Sequence, residues 1–180
     1  MLTFRLWDII LVVCSVEGKI PAELSNLENL GNLYAASNRL TGTLPPELGS
    51  LSSLRVLFLY KNDLSGSLPE EYGMLTNLED LIIYSNHLTG TIPFSIGSNL
   101  NRMRAMFLQG NAFSGKLDSH FMENSDIEAM DISDNLLSGQ LPAGVFEARN
   151  LRTLALSINC FSGSLPSSMC FMRKAIVISM

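Results

Sequence analysis

An asparagine recurs through this chain at nearly constant intervals of 24 or 25 residues. Apolar residues, mainly leucine, stand eleven, eight, five and three positions before it in most of the units. The six asparagines are Asn38, Asn62, Asn86, Asn111, Asn135 and Asn159. A fixed period of this length indicates one short structural unit that is repeated, with each unit stacked on the next.

The spacing of the apolar residues predicts a leucine-rich repeat solenoid of the α/β class. The residues five and three before each asparagine alternate with polar or aromatic ones, which is the pattern of a short strand with one buried face. Stacked strands of this kind form one curved parallel sheet on the concave face, opposite a convex side of 3-10 or irregular structure. We expect residues 1–180 to form a single array of about seven units.

The repeated asparagine has a structural role in this pattern. Its amide carries both donors and an acceptor, so it can satisfy backbone groups of its own and adjacent turns that would otherwise be buried unpaired. Cys14 lies 24 residues before Asn38, at a position where the repeat accepts asparagine or cysteine. We therefore count Cys14 with the six asparagines as the structural ladder.

A second motif follows most of the asparagines and consists of Leu/Phe, Ser/Thr, Gly, one variable residue, Leu/Ile and Pro. It is found at residues 40–45, 64–69, 88–93, 137–142 and 161–166. The motif resembles the plant-specific leucine-rich repeat class of receptor-like kinase ectodomains, receptor-like proteins and polygalacturonase-inhibiting proteins. This resemblance covers nearly the whole chain and implies a second short sheet.

The two ends of the chain depart from a complete repeat. Residues 1–14 are either an incomplete first repeat or a signal-like segment. Arg5 and the apolar run Ile9–Cys14 resemble a signal peptide, but Asp8 argues against a clean one. Residues 172–180 are expected to be a truncated last repeat, because the next asparagine is missing. These features suggest a fragment or a module of a longer protein.

The fourth unit lacks the proline of the motif and continues into an irregular segment after Leu117. Asn124 and Ala148 replace the outermost leucine of the two following units. We therefore expect a kink near residue 118 and a thin convex layer between residues 118 and 150.

Composition excludes several classes of function. With 47% hydrophobic and 16% charged residues the chain is not disordered, and a net charge of −5 gives no basic surface for nucleic acid.

Cys14, Cys160 and Cys170 form no metal-binding or paired pattern and are expected to be free thiols. We find no catalytic constellation, metal site or cofactor motif, and no apolar run long enough to span a membrane.

The outward-facing strand residues, four and two before each asparagine, are the candidate ligand-binding residues of the concave face. Aromatic side chains concentrate there in the first four units, and Tyr60 and Tyr84 should be neighbours on adjacent strands. Polar residues are expected to surround them. The candidate residues are Tyr34, Phe58, Tyr60, Ile82, Tyr84 and Phe107, with Lys61, Asp80 and His87.

These residues predict a non-enzymatic module that binds a peptide or protein ligand, and possible partners include a co-receptor. The alternatives are an enzyme inhibitor similar to polygalacturonase-inhibiting proteins and a truncated receptor fragment without independent function. The resemblance implies the cell surface or the extracellular space. Against this location, the sequence has no clean signal peptide, no cap cysteines and no N-glycosylation sequon.

Overall fold

The computed structural model describes residues 6–12, 14–123 and 125–164, together with the backbone of residues 177–179. Several sequence predictions therefore lie wholly or partly outside the described residues. They concern the start of segment 1–14, the motif proline at position 166, Cys170, and residues 172–176 and 180 of the last repeat.

Short parallel strands form an eight-stranded sheet that runs the length of the described chain. In each neighbouring pair the register advances by one repeat, so Leu57 lies opposite Leu33 on one side and Leu81 on the other. The strands are β1 Asp8–Ile10, β3 Asn32–Tyr34, β5 Val56–Phe58, β7 Asp80–Ile82, β9 Ala105–Phe107, β11 Ala129–Asp131, β13 Thr153–Ala155 and β15 Val177–Ser179.

The centre of each strand points into the core, while the residues on either side of it face outward. Leu57, Leu81 and Met106 have no exposed surface, whereas the flanking strand residues are half-buried. Burying a side chain of this size contributes about 1.5–3 kcal/mol. The predicted alternation is therefore confirmed, and it fixes which side chains the concave face presents.

A second parallel sheet of seven strands lies along the flank and is built from the Ser/Thr-Gly motif. The predicted second sheet is thus confirmed. Its register differs from that of the main sheet, since Thr41 lies opposite Asp63, which is only 22 residues later. The strands are β2 Glu17–Lys19, β4 Arg39–Thr43, β6 Asp63–Ser67, β8 His87–Gly90, β10 Ala112–Lys116, β12 Leu136–Gly139 and β14 Cys160–Phe161.

Short helices cover the convex side, and each begins directly after a proline. Proline has no amide hydrogen and a fixed φ, so it ends the preceding strand and suits the residue before a helix. The 3-10 helices are Ala22–Asn26, Pro46–Ser50 and Glu70–Met74, and the α-helices are α1 Phe94–Asn99 and α2 Ala143–Glu147.

The expectation of a thin convex layer after residue 118 is wrong. Phe121 and Met122 are buried, and α2 buries Val145 and Phe146. The Phe121 ring packs onto Gly97, where any side chain would overlap it, and the Met122 amide donates to the Gly97 carbonyl at 3.0 Å. Glycine on the neighbouring helix therefore makes room for the irregular segment to complete the core.

Strands β1 and β15 pair with the main sheet in repeat register. Asp8 lies opposite Asn32, and Val177 lies opposite Thr153. Within the described ranges, the helices are all too short for a transmembrane span.

Candidate ligand-binding face

The outward-facing aromatic side chains of the concave sheet form one continuous surface, which we call the aromatic patch. Each member is half-buried, so part of every side chain is open to solvent. The patch crosses β3, β5, β7 and β9 and includes one aliphatic residue, Ile82. The last residues of these strands are Tyr34, Phe58, Ile82 and Phe107, and Tyr60 and Tyr84 follow two residues after β5 and β7.

The rings of the aromatic patch contact one another across the strands. The Tyr60 and Tyr84 rings stack with centroids 4.6 Å apart and planes 7° apart. Tyr34 and Phe58 meet edge to face at 5.2 Å, and Phe58 lies 6.3 Å from Tyr60. The expectation that Tyr60 and Tyr84 are neighbours is confirmed, and the contacts hold the rings in place before any ligand arrives.

The three polar residues predicted beside the patch occupy different places. Lys61 is exposed directly after Tyr60, and its φ of 54° turns the chain away at the end of the strand. Asp80 is the first residue of β7 and stands on the concave sheet. His87 instead begins β8 of the second sheet, where its Nε2 lies 3.6 Å from the Asp63 carboxylate. Lys61 and Asp80 therefore adjoin the patch, while His87 does not belong to the concave sheet.

Among the candidate residues, Asp80 has a carboxyl group whose pKa is shifted by its surroundings. Burial raises the pKa of Asp80 above its ordinary value, and the carboxylates of Glu79 and Glu128 add to the rise, while Arg104 opposes it. A carboxyl in this setting loses its proton less readily than one in water.

A row of alternating charges runs along the edge of the concave sheet, and the sequence analysis missed it. Arg55 Nη2 lies 2.6 Å from Glu79 Oε1, Arg104 Nη2 lies 2.9 Å from Glu128 Oε1, and Arg152 Nη1 lies 3.9 Å from Glu128 Oε2. All five residues stand seven positions before a ladder asparagine, so the period that revealed the asparagines could also have revealed this row. Paired charges of this kind leave little net charge on that edge.

Beyond the patch, polar residues continue the concave face. The Gln109 side-chain oxygen is buried and has no hydrogen-bond partner in the described part of the chain. Asp131 Oδ1 accepts from the Ser133 amide at 3.0 Å and from its hydroxyl at 2.5 Å. Buried polar groups are normally paired, so the Gln109 oxygen is an exception next to the aromatic patch.

The ladder asparagines hold the strands in register from inside the turn. Asn62 Nδ2 donates to the carbonyls of Leu59 and Ala35, both at 3.0 Å, and its Oδ1 accepts from the Leu40 amide at 3.0 Å. The other asparagines make equivalent bonds within their own repeat and to the preceding one. These contacts occur at Asn38, Asn86, Asn111, Asn135 and Asn159.

Cys14 occupies the ladder position and reproduces one of the asparagine contacts. Its thiol donates to the Val12 carbonyl, two residues earlier, at 3.3 Å, as Asn38 Nδ2 donates to the Ala36 carbonyl at 3.2 Å. The Cys14 backbone amide donates to Asn38 Oδ1 at 3.1 Å. Cys14 and Cys160 are exposed free thiols. Across residues 6–12, 14–123 and 125–164, no three His, Cys, Asp or Glu side chains are grouped to hold a metal ion.

Comparison with known proteins places these features in a family. The family model described as Leucine Rich Repeat matches residues 29–51, 53–75, 77–99 and 150–172, which is more than half of the chain. No curated protein sequence matches the chain.

Solved structures of plant receptors match the chain closely in fold. The plant peptide hormone receptor RGFR1, solved in complex with RGF2, is 30% identical with a TM-score of 0.86, over 92% of this chain and 26% of the receptor. A TDR receptor is 33% identical with a TM-score of 0.87, over 97% of this chain and 31% of its own.

The Arabidopsis receptor kinase HAESA, in complex with the peptide hormone IDA and the co-receptor SERK1, is 31% identical. Its TM-score is 0.83, over 87% of this chain and 26% of the receptor. The chain therefore spans about a quarter to a third of the length of these three solved proteins.

Proposed function

This chain belongs to the leucine-rich repeat family, and from that membership we propose that it is a non-enzymatic module whose concave sheet binds an extended peptide or protein segment. The observation that carries the proposal is the aromatic patch. Tyrosine and phenylalanine supply large contact areas with few rotatable bonds, so they bind partners at a low entropy cost.

The shape of the aromatic patch suits an extended ligand that crosses the strands. Neighbouring strands lie about 4.8 Å apart, so the four strands of the patch span about 14 Å. An extended chain advances about 3.3 Å per residue, and about four ligand residues therefore cover the patch. Apolar or aromatic ligand side chains would pack against the open surfaces of the half-buried rings.

A polar group beside the patch supplies orientation. The exposed ammonium of Lys61 can donate a hydrogen bond to a ligand carbonyl. An apolar surface with a few placed polar groups is typical of specific binding sites. Lys61 would thus help to fix the direction of the peptide.

The solved relatives support this proposal by their own ligands. RGFR1 was solved with RGF2, and HAESA was solved with a peptide hormone and a co-receptor. By analogy we place the chain at the cell surface or in the extracellular space, with a co-receptor as a possible second partner. This chain spans only part of the length of these receptors, so the activity of the whole protein is also part of the proposal.

A peptide-display selection tests the proposal. The native chain and the Tyr60→Ala/Tyr84→Ala variant are each used to enrich a random peptide library, with Met74→Ala as a control that removes an exposed apolar side chain from a convex helix. We expect peptides rich in aromatic residues to enrich on the native chain and on Met74→Ala, but not on the double variant. Equal enrichment on all three proteins would overturn the proposal.

A further inference from the structure

A groove on the flank of the solenoid lies away from the concave sheet. It has a volume of about 690 Å³ and runs across three successive repeats, between the ends of β4, β6 and β8 and the convex helices that follow them. We call this the flank groove. Its lining includes Thr43, Ser67, Thr91, Glu70, Glu71 and Phe94.

One wall of the flank groove carries hydroxyl groups. Thr43, Ser67 and Thr91 occupy equivalent positions in three successive repeats, and the first two are the last residues of β4 and β6. Thr43, Ser67 and Thr91 are exposed. Each hydroxyl can donate or accept, so the wall can hydrogen-bond the backbone of a chain laid along the groove.

Acidic side chains also line the flank groove. Glu70 and Glu71 are exposed, and neither carboxylate has a salt bridge within the described ranges. In the part of the chain that the structure describes, the lining includes no lysine or arginine. The Arg and Glu residues at the edge of the concave sheet pair with one another. By contrast, the carboxylates in the flank groove form no salt bridge within the described ranges.

Phe94 gives the groove an apolar contact. It is the first residue of α1 and is 64% exposed, although phenylalanine is usually buried. The next helical residue, Ser95, donates from its hydroxyl to the Glu70 carbonyl at 2.9 Å. This bond ties the start of α1 to the preceding helix, so Phe94 and the two glutamates are held beside the same groove.

We infer that the flank groove docks an extended segment of a protein partner that carries arginine or lysine next to an apolar residue. The cation would pair with Glu70 and Glu71, the apolar side chain would cover Phe94, and the hydroxyl wall would bond the partner's backbone. Charge complementarity selects a cationic chain over an acidic or neutral one. The inference is independent of the concave-face proposal, since the two surfaces share no residue.

The experiment uses a fluorescein-labelled hexapeptide of alternating arginine and leucine, blocked at both ends, and measures its anisotropy with the full chain. The variants are Glu70→Gln/Glu71→Gln and Phe94→Ala, and Glu147→Gln on α2 is the matched control for an exposed, unpaired glutamate. All substituted side chains are exposed, and thermal melts verify that each variant is folded.

We expect the double glutamine variant to weaken binding about fivefold to tenfold and Phe94→Ala to weaken it by a similar factor. Glu147→Gln and Tyr60→Ala/Tyr84→Ala should leave the affinity unchanged, and added salt should weaken binding to the native chain. The inference is overturned if the flank variants bind like the native chain, or if a neutral oligosaccharide displaces the peptide. Loss of binding only in the tyrosine variant would also overturn it, by placing the peptide on the concave face.

Discussion

The Tyr60 and Tyr84 rings stack nearly parallel, 4.6 Å apart, two residues after the neighbouring strands β5 and β7 of the concave sheet. Parallel strands in repeat register place equivalent side chains next to each other, so the solenoid itself produces this stack. Aromatic pairs of this kind contribute about 0.5–1.5 kcal/mol beyond the area they bury. The binding surface is therefore ordered by the same repetition that orders the fold.

Asn86→Ala is expected to destabilise the array strongly. Asn86 is 6% exposed; its Nδ2 donates to the Leu59 and Ile83 carbonyls, and its Oδ1 accepts from the Leu64 amide. Each buried group left unpaired costs about 1–3 kcal/mol, so we expect a loss of about 3 kcal/mol or more in the free energy of unfolding. Urea denaturation measures it. Asn77→Ala removes a half-buried amide whose two hydrogen bonds are exposed to solvent, and it should cost less than about 1 kcal/mol. Equal losses would contradict the ladder's role.

Tyr72→Phe is expected to stabilise the protein. Tyr72 is fully buried, and its hydroxyl has no hydrogen-bond partner in the described part of the chain. Removing the hydroxyl removes an unsatisfied polar group, which should raise the free energy of unfolding by about 1 kcal/mol or more. Tyr34→Phe, on the half-buried aromatic patch, should change it by less than about 0.5 kcal/mol. A destabilised Tyr72→Phe variant would mean that the hydroxyl has a partner.

Ile158→Asn should also stabilise the array. Ile158 has a φ of 54° and is 73% exposed, so it adopts a left-handed conformation that β-branched residues disfavour and gains little from burial. We expect thermal denaturation to show a gain of about 1 kcal/mol, because asparagine tolerates this backbone. Leu136→Asn, which replaces an exposed leucine without a positive φ, is the control. If both variants change stability equally, backbone strain is not the cause.

Because of Asp80, the free energy of unfolding should fall as the pH rises. The pKa of Asp80 in the folded protein lies above the ordinary value of 3.8. At pH values between 3.8 and this raised pKa, the folded state therefore binds more protons than the unfolded state. The Asp80→Asn variant should therefore be more stable than the native chain at neutral pH, and the difference should shrink as the pH falls towards 3.8. Asp126→Asn, at an exposed site, controls for the loss of one negative charge. A difference that grows on acidification would contradict the assignment.

The sequence period was enough to predict the strands, their buried residues and the neighbouring tyrosines. These features repeat, so six copies of the pattern determine one geometry. The motif after each asparagine likewise predicted the second sheet through its family resemblance. The site residues themselves stay predictions until a ligand is found.

Features that occur once were not predictable in this way. The packing of Phe121 onto Gly97 depends on the size of one side chain, because Phe121 stands ten positions after Asn111, where Leu48 and Ile96 stand in their own repeats. The unpaired Tyr72 hydroxyl arises because tyrosine occupies a position where Leu48 and Ile96 fill the core in adjacent repeats. Pairwise packing of this kind becomes visible only when the chain is folded.

Nuclear magnetic resonance of the chain with isotopically labelled tyrosine rings tests the central claim most directly. The chain has four tyrosines, of which Tyr72 is buried in the core and serves as an internal control. On titration with a peptide enriched by display, we predict that the ring signals of Tyr34, Tyr60 and Tyr84 shift together while that of Tyr72 does not. Saturable binding that leaves all three concave rings unshifted would contradict the account.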